Sequence, residues 1–491
     1  MVLTVNKESK KTAFDQIFSQ ITELIDNGTL AIGARLPSTR ELAKMVGVNR
    51  TTVIHVYEEL WAQGYIESTP GSYTTVRKRK PVVFKTSENN TFSIVEQNRY
   101  TDHLDLQYDL MMHYLENGKT IEQGKINFLQ LSPDTRLLDM KQIKACMRNV
   151  LNDSKTNPFD FAHARGFQPL RQEIVKHMKL HSIHAEDKNI LVTNGSLQSL
   201  QLIFQVFSKP GDYIAIENPT YSIILHFIKI FKLNIIAIPI TSQGMDLEVL
   251  KREIKHTPIR FIYTMPTYQN PTGISMPQKK REELLQICEA TNGIIIEDSI
   301  EEEMNYYEKA HLPIKSIDQK GQVIYLGSFA KVLAPGLRIG WMIGSPECIK
   351  KLTVVKAIFE ISSGTINQMF LYHFFNKGAF ELHLRKTTRV FRKRMNVAIH
   401  AIKKYIPADQ IEWTEPTGGY MIWLKLLHKK IENIEYHISD YGVMIHNGQY
   451  FFVNDQPCNY IRICISQTND SEIEEGIKRI GNAVKALIKE E

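Results

Sequence analysis

The sequence lacks the features of disulfide-bonded and membrane-spanning proteins. Its 491 residues include only five cysteines, which are scattered along the chain without a CxxC pair. An odd and scattered set argues against a disulfide framework and against a zinc site, so we expect no metal site. No run approaches the roughly 20 apolar residues of a membrane span, and the first residues lack a signal-peptide pattern. We therefore expect a cytoplasmic protein without a membrane segment.

A strong excess of one charge is also missing. The formal net charge is +7, which permits nucleic-acid binding without requiring it. Hydrophobic residues make up 43% of the chain, enough for a substantial core, and the length exceeds one ordinary domain. We predict a DNA-binding domain at residues 1–78, a linker at 79–118 with one short helix near 104–115, and a larger domain at 119–491.

The first segment has the pattern of three short helices. Apolar residues recur at helical spacing between residues 14 and 25, and Asn27-Gly28 ends that helix. Ser38 and Glu41 form a capping box that begins a second helix, which ends at Gly47. Asn49 caps a third helix. Its inward stripe consists of Val53, Val56, Tyr57 and Leu60, and its outward face of Arg50, Thr51, Thr52 and His55.

A helix, a tight turn and a second helix with polar residues at its N-terminus together form the helix-turn-helix arrangement. Two β-prone runs around Pro70-Gly71 then predict a β-hairpin wing. A small helical bundle without a DNA role is the alternative. The string LPSTRELA…GVNRTTV…YEELWAQGYI resembles the winged-helix domain of the GntR family of bacterial regulators. That resemblance implies that double-stranded operator DNA is contacted by Ser38, Thr39, Arg40, Arg50, Thr51 and Thr52. We also expect His55, on the same outward face of the third helix, to bind DNA.

Short apolar runs alternate with helical patterns in the larger domain, which predicts an α/β fold with a mainly parallel sheet. Five of these runs are each followed by a polar signal. The runs lie at residues 190–193, 213–216, 261–263, 293–296 and 323–326. Because ligands of open α/β sheets bind beyond the carboxyl ends of the strands, the five signals indicate one crevice.

The polar groups at these strand ends have complementary chemistry. The amine of Lys331 can form a Schiff base with a carbonyl compound. The helix start at Gly195 and Ser196, together with Ser328 and Arg338, can hold a phosphate group.

Three further residues fit an aromatic nitrogen heterocycle. Asp298 can keep a pyridine nitrogen protonated, Asn270 can donate to a phenolic oxygen, and the ring of Tyr221 can stack on a planar ligand. Singly, each has an ordinary interpretation: Lys331 as a surface lysine, Asp298 as a helix cap, Asn270 as a turn residue, Tyr221 as core. Their order at successive strand ends favours a pyridoxal 5′-phosphate (PLP) site.

The strings GFQPLR, ENPTY, NPTG, IIIEDS and SFAKVLAPGLRIG resemble a fold-type I aminotransferase, and the resemblance covers the larger domain. The late NYIRICIS matches the segment that supplies an arginine for the substrate carboxylate, which implies that role for Arg462. A GntR-type domain followed by such a domain resembles the MocR subfamily of bacterial transcription regulators. The resemblance also implies a homodimer, since fold-type I sites form at subunit interfaces.

The sequence departs from the subfamily at two positions. Ile300 replaces the tyrosine that helps to hold the PLP phenolic oxygen, which puts full transamination in doubt. Ile223 stands where the GABA-responsive member carries an arginine, so a GABA effector is not supported. We expect a PLP-dependent transcription regulator that senses PLP, an amino acid or an amine at a Schiff-base site. The alternatives are an active aminotransferase with an accessory DNA-binding module and an interaction domain without PLP.

Overall fold

The computed structural model describes residues 3–68, 73–77, 124–307, 311–427, 434–454 and 458–489. The chain divides into two compact units, Met1–Tyr100 and Thr101–Glu491, and each is described by itself. The predicted linker, its short helix and the Pro70-Gly71 turn lie outside the described residues. The three predicted domain boundaries therefore stay predictions.

Three helices and a two-stranded sheet form the N-terminal unit. They are α1 (Ala13–Asp26), α2 (Thr39–Val46), α3 (Arg50–Ala62), β1 (Ile66–Ser68) and β2 (Thr74–Val76). The Ser38 hydroxyl accepts from the Glu41 amide while the Glu41 carboxylate accepts from the Ser38 amide. Gly47 ends α2 at φ +68°, a left-handed conformation that glycine adopts without strain. Asn49 accepts from the Thr51 amide and begins α3, which confirms the predicted helix-turn-helix.

The core of this unit is built from the stripes that the helical spacing predicts. Ile17 and Ile21 on α1 are buried, as is the inward stripe of α3. The two strands are antiparallel, and the buried Ile66 lies opposite the buried Val76. The predicted β-prone runs therefore form strands that close the core, because their apolar side chains face the helices.

The larger unit is an α/β structure. Its described strands are β3 (Ile126–Asn127), β4 (Ile190–Thr193), β5 (Tyr213–Asn218), β6 (Asn234–Thr241), β7 (Gly244–Met245), β8 (Ile259–Thr264), β9 (Ile294–Asp298), β10 (Val323–Ser328), β11 (Gly340–Ile343), β12 (Ile411–Trp413), β13 (Met421–Leu426), β14 (Val443–Met444), β15 (His446–Asn447) and β16 (Tyr460–Cys464). Its described α-helices are α4 (Met140–Leu151), α5 (Gln168–Lys179), α6 (Ser196–Phe207), α7 (Ser222–Ile230), α8 (Leu247–His256), α9 (Gln278–Thr291), α10 (Pro346–Glu360), α11 (Thr365–Asn376), α12 (Ala379–Tyr405), α13 (Ile434–Asp440) and α14 (Asp470–Lys489). Short 3₁₀ helices span Thr135–Leu137, Asp187–Asn189, Ile314–Ile317, Pro335–Leu337 and Gly448–Phe451.

Eight strands form the central sheet in the order β4-β11-β10-β9-β8-β5-β6-β7. Neighbours from β10 to β6 pair in parallel. Strand β11 is antiparallel to both β10 and β4, so β4 and β10 run in the same direction. The carboxyl ends of the five strands that were expected to carry the site therefore lie at one edge. This arrangement confirms the predicted mainly parallel sheet.

Strands β4 and β10 are buried at every position because helices cover both faces of the sheet. Val192 and Tyr325 pack in one hydrophobic cluster with α5, α11 and α12. Their neighbours Leu191 and Leu326 pack in a second cluster with α6, α7 and α10. Burial on both faces explains why these runs are continuously apolar instead of alternating.

A smaller sheet in the order β12-β13-β16-β15 stands apart from the central one and is antiparallel throughout. It carries Arg462, which lies opposite Trp423 on β13. Strands β3 and β14 form a separate parallel pair. Among the described helices, none has both the length and the apolar character that a membrane crossing requires.

Candidate functional site

The seven residues expected at DNA lie at or near the N-terminal ends of α2 and α3. Ser38, Arg40, Arg50, Thr51 and His55 are exposed. Thr39 and Thr52 are half-buried. The Arg50 Nε donates to Thr39 Oγ1 at 3.5 Å, which links the starts of the two helices. One polar surface therefore carries the candidate contacts, although their roles at DNA stay predictions.

Ser38 and His55 also have partners among the described residues. The Ser38 oxygen accepts from the Glu41 amide, so its hydroxyl hydrogen is left to donate. His55 Nδ1 lies 3.1 Å from Glu58 Oε2 on the exposed side of α3. An exposed pair of this kind is weak, so a phosphate can displace the glutamate from the histidine.

At the sheet edge, the predicted phosphate cradle is assembled from three elements. Gly195 precedes α6 at φ +99°, and Ser328 at the end of β10 lies opposite Gly340 on β11. A Cβ added to Gly340 would come within 2.9 Å of the Gly195 Cα, so the two backbones are in contact. The Arg338 Nη2 donates to the Asn194 carbonyl at 2.7 Å beside Gly195. The free amides at the start of α6 and the guanidinium therefore share one small space.

Behind the cradle lies a partly buried ion pair that the sequence did not reveal. Asn194 Nδ2 and Gln198 Nε2 each donate to Glu360 Oε2 at 2.6 Å. Glu360 also pairs with the buried Lys356 at 2.7 Å. Burial by itself would raise the pKa of Glu360, but hydrogen bonds from Lys356 and Gln198 hold it below its usual value. The pair fixes the loop that leads into α6.

The carboxylate of Asp298, at the end of β9, is buried and only half satisfied. Its Oδ2 accepts from the Tyr263 hydroxyl at 2.8 Å, while its Oδ1 has no hydrogen-bond partner among the described residues. Burial raises the pKa of Asp298 to about 6, and the Tyr263 hydrogen bond and the charge of Lys331 oppose that rise. An orphaned acceptor at this depth fits the protonated nitrogen of a pyridine ring.

Asn270 and Arg462 meet although they are far apart in the chain. The Arg462 Nη1 donates to Asn270 Oδ1 at 3.1 Å, and its Nη2 donates to the Leu129 carbonyl at 2.7 Å. Asn270 Nδ2 and Arg462 Nε are buried donors for which the described residues provide no partner. Arg462 is buried and lies 4.9 Å from the ring of Phe451. Two orphaned donors in one place suit an anionic or phenolic oxygen ligand.

The Lys331 amine lies in the interior beyond the end of β10, close to these groups. Its Nζ donates to the Leu131 carbonyl, and its own carbonyl accepts from the Tyr420 hydroxyl at 2.8 Å. Burial lowers the pKa of Lys331, and the neighbouring Glu301 carboxylate opposes that effect. A lowered pKa increases the fraction of neutral amine, which is the nucleophilic form.

Tyr221 directly precedes α7 and is half-buried against the hydrophobic cluster that contains Leu326. Its stacking role stays a prediction. Ile300 is buried in the same cluster, so an apolar side chain fills the position of the expected tyrosine. Ile223 is half-buried on α7 and offers no charge there.

Sequence reasoning missed the role of Glu301. Its side chain is buried, and within the described part of the chain neither carboxylate oxygen has a hydrogen-bond partner of good geometry, although the backbone of Tyr420 lies near enough to lower its pKa. Burial raises the pKa of Glu301 to about 7, while the charges of Lys331 and Arg462 oppose the rise. Its place three residues beyond Asp298, past a strand end, was the only signal in the sequence. The site thus holds a buried carboxylate that interacts with the charges of both Lys331 and Arg462.

Comparison with known proteins supports both units. The profile of the family Aminotransferase class I and II matches residues 133–480, and that of Bacterial regulatory proteins, gntR family, matches residues 13–76. The chain is 30% identical over 488 residues to the uncharacterized HTH-type transcriptional regulator YdfD of Bacillus subtilis (strain 168), covering 98% of both chains.

Solved structures resemble the larger unit. The multiple substrate aminotransferase (MsAT) from Thermococcus profundus has a TM-score of 0.73 at 28% identity, covering 78% of this chain and 96% of that chain. The α-aminoadipate aminotransferase LysN from Thermus thermophilus, complexed with N-(5′-phosphopyridoxyl)-L-leucine, has a TM-score of 0.71 at 25% identity. It covers 78% of this chain and 100% of that chain.

The chain belongs to the aminotransferase class I and II family, because the family profile spans most of its length. The GntR match in the same chain and the full-length similarity to YdfD define it further. It is a GntR-type transcription regulator of the MocR subfamily, as the resemblance in the sequence implied.

Proposed function

We propose that this protein is a bacterial transcription regulator that binds operator DNA through α2 and α3 and senses PLP, an amino compound or both at Lys331. The observation that carries the proposal is the pair of orphaned groups beside that lysine. Asp298 Oδ1 and Asn270 Nδ2 are buried and have no partner in the described part of the chain, and they match the pyridine nitrogen and the phenolic oxygen of pyridoxal.

The cofactor would be held by groups that the structure already positions. The amides at Gly195 and Ser196, with Ser328 and Arg338, would bind its phosphate. Asp298 would pair with the pyridine nitrogen, Asn270 would donate to the phenolic oxygen and Tyr221 would stack on the ring. When bound, PLP supplies an electrophilic carbonyl carbon and an electron sink.

Glu301 and Arg462 suit an incoming amino acid. The guanidinium can bind a carboxylate through two parallel hydrogen bonds, and its Nε is without a partner. An amino acid arrives as an ammonium ion, which must lose a proton before it can react. Glu301, with a pKa of about 7, can take that proton on a carboxylate oxygen. When it is deprotonated, the same residue also balances the charge of Arg462 while no amino acid is bound.

An apolar surface next to the cradle supports the proposed homodimer. Phe159 and Phe161 are 75% and 77% exposed, and Ile358, Phe359 and Ile361 are also exposed. The two stretches are adjacent because Thr365 Oγ1 donates to the Asp160 carbonyl at 2.6 Å. Exposed aromatic clusters of this kind mark interfaces, and an isologous dimer would present two DNA-binding units to two half-sites.

A dimer in the cytoplasm is therefore part of the proposal. Sedimentation of the full chain tests it, with Phe359→Asp expected to shift the protein to monomer. Tyr436→Asp, an exposed aromatic on α13, is the control that should leave the dimer intact. Monomeric wild-type protein at micromolar concentration would remove this part of the proposal.

Aminotransferase activity is the second candidate function. The lysine, aspartate and buried arginine favour it, whereas Ile300 removes the hydroxyl that the family uses at the phenolic oxygen. Absorbance titration of the PLP-loaded protein with a panel of amino acids and simple amines tests both functions at once. The regulator is supported if amino acids change the spectrum, the protein binds its operator, and no net conversion to a keto acid occurs. Sustained turnover without an effect on operator binding supports the enzyme.

Lys331→Ala and Lys255→Ala form a matched pair for this titration. Lys255 is an exposed lysine on α8, so its loss should change nothing. Loss of the response in the first variant alone is the expected result. A response that survives in Lys331→Ala would contradict the proposed attachment site.

A further inference from the structure

A second cluster of chemically active side chains lies at the C-terminal end of α5. His177 and His181 are four residues apart, and Glu303 approaches both of them. His177 Nε2 lies 2.6 Å and His181 Nε2 lies 3.0 Å from the same Glu303 oxygen, Oε1. The three candidate ligand atoms lie within 4.8 Å of one another. Two imidazole nitrogens and a carboxylate oxygen therefore converge on one point.

A second carboxylate approaches the other ring nitrogen of one of these imidazoles. His181 Nδ1 lies 3.1 Å from Glu302 Oε1, and the Tyr325 hydroxyl donates to Glu302 Oε2 at 2.7 Å. Burial by itself would lower the pKa of His181, but hydrogen bonds to Glu302 and Glu303 raise it to about 11, so a metal ion would have to displace the proton from Nε2 while Glu302 keeps the proton on Nδ1. A carboxylate that orients a histidine in this way is typical of the outer shell of metal sites.

The environment is protected on one side and open on the other. His177 is buried and packs against the rings of Phe375 and Phe380, with centroids 5.7 and 5.3 Å away. His181 and Glu303 are half-buried, so a water molecule can reach a fourth position. Nitrogen and oxygen donors in this ratio suit Zn²⁺ and similar divalent ions better than Mg²⁺ or Ca²⁺.

We propose that His177, His181 and Glu303 bind one divalent transition-metal ion of the zinc type, with Glu302 as the residue that positions His181. This contrasts with the expectation of no metal site, which rested on the cysteines alone. The ion would tie the end of α5 to the segment after β9, two residues beyond Glu301. The assignment rests on this cluster and does not depend on PLP binding or DNA binding.

Equilibrium dialysis of the chelator-treated full-length protein against ZnCl₂ tests the proposal. We expect one tightly held ion per chain. His181→Gln should weaken the affinity by more than about 100-fold, and Glu302→Gln by about 10- to 100-fold, because the ligand remains but loses its orientation. His256→Ala removes an exposed histidine on α8 and should have no effect.

Co²⁺ in place of Zn²⁺ separates this site from adventitious binding at cysteine. Four-coordinate cobalt bound by nitrogen and oxygen has visible d–d bands but lacks the thiolate charge-transfer band. We expect those d–d bands in the wild type and in His256→Ala, and their loss in His181→Gln. Far-UV circular dichroism confirms that each variant is folded. The proposal would be overturned if the wild type took up no zinc, or if Glu302→Gln bound zinc as tightly as the wild type. A thiolate charge-transfer band in the cobalt spectrum would also overturn it.

Discussion

Gly195 offers the most controlled test of the phosphate cradle. An alanine at this position has two separate effects. Gly195 has φ +99° and ψ 171°, a conformation that is nearly restricted to glycine. The substitution therefore lowers the free energy of unfolding by about 1–3 kcal/mol. Its new Cβ would also lie 2.8 Å from Arg338 Nη2. That atom is the end of a flexible side chain, so the guanidinium moves away at little cost.

Once the Arg338 guanidinium has moved, the cofactor phosphate would lose its hydrogen bond to it. A hydrogen bond to a charged group contributes about 1.5–3 kcal/mol, so PLP affinity should fall roughly 10- to 150-fold. Gly211→Ala is the matched control, because Gly211 has a φ of +92° and nothing within 4 Å of its added Cβ. Both variants should lose stability in urea unfolding, and only Gly195→Ala should lose PLP affinity in fluorescence titration.

Arg338→Ala completes the comparison. If the reasoning is right, Gly195→Ala and Arg338→Ala weaken PLP binding by similar factors, and the double variant adds little, because both remove one interaction. Equal PLP affinities in Gly195→Ala and Gly211→Ala would refute the assignment of Arg338 to the phosphate.

Three other substitutions separate the remaining roles. Arg462→Lys should retain the absorbance of bound PLP but lose the spectral response to amino acids, since lysine cannot form the paired hydrogen bonds. Amines without a carboxylate should still respond, and an unchanged response to amino acids would remove Arg462 from the site. Arg50→Ala should weaken operator binding by about 1–3 kcal/mol in fluorescence anisotropy at fixed salt, with PLP content unchanged; full affinity would argue against this orientation of α3. Glu301→Gln should flatten the pH dependence of stability. The folded pKa of Glu301 is raised to about 7, so the wild type binds the extra proton below that pH and loses stability as pH rises from about 4.5 to 7. Urea unfolding at several pH values measures the difference, and parallel profiles would contradict the burial of a free carboxylate.

The elements that periodicity specifies could be predicted from the sequence. The α3 stripe from Val53 to Leu60 and the capping box at Ser38 are local patterns, and both are present in the structure. The five strand ends could be predicted as one edge because parallel strands that are buried on both faces leave continuous apolar runs.

Contacts between distant segments could not be predicted. Arg462 and Asn270 are 192 residues apart, and the Asn194–Glu360 hydrogen bond joins residues 166 apart. No local pattern encodes such pairs, since they depend on how the small sheet and α10 pack against the central sheet. The antiparallel strand β11, which brings Gly340 against Gly195, was likewise not anticipated.

Glu301 shows a different limit of prediction from sequence. Its burial follows from the packing of Gly419, because an added Cβ there would lie 3.1 Å from Glu301 Oε2. From the sequence, a glutamate within an acidic run is expected to be exposed, since charged side chains are rarely buried without a partner. Only the fold shows that this carboxylate lies beside two cations.

The central claim is that occupancy of the Lys331 site changes how the protein binds DNA. The most direct test is operator affinity of the full-length protein with and without PLP, and then with an amino acid that gives a spectral response. The account predicts an affinity that depends on these ligands in the wild type and in Lys255→Ala, and one that is independent of the amino acid in Lys331→Ala. Operator affinity that is the same under all conditions in the wild type, or an amino-acid effect that persists in Lys331→Ala, would contradict it.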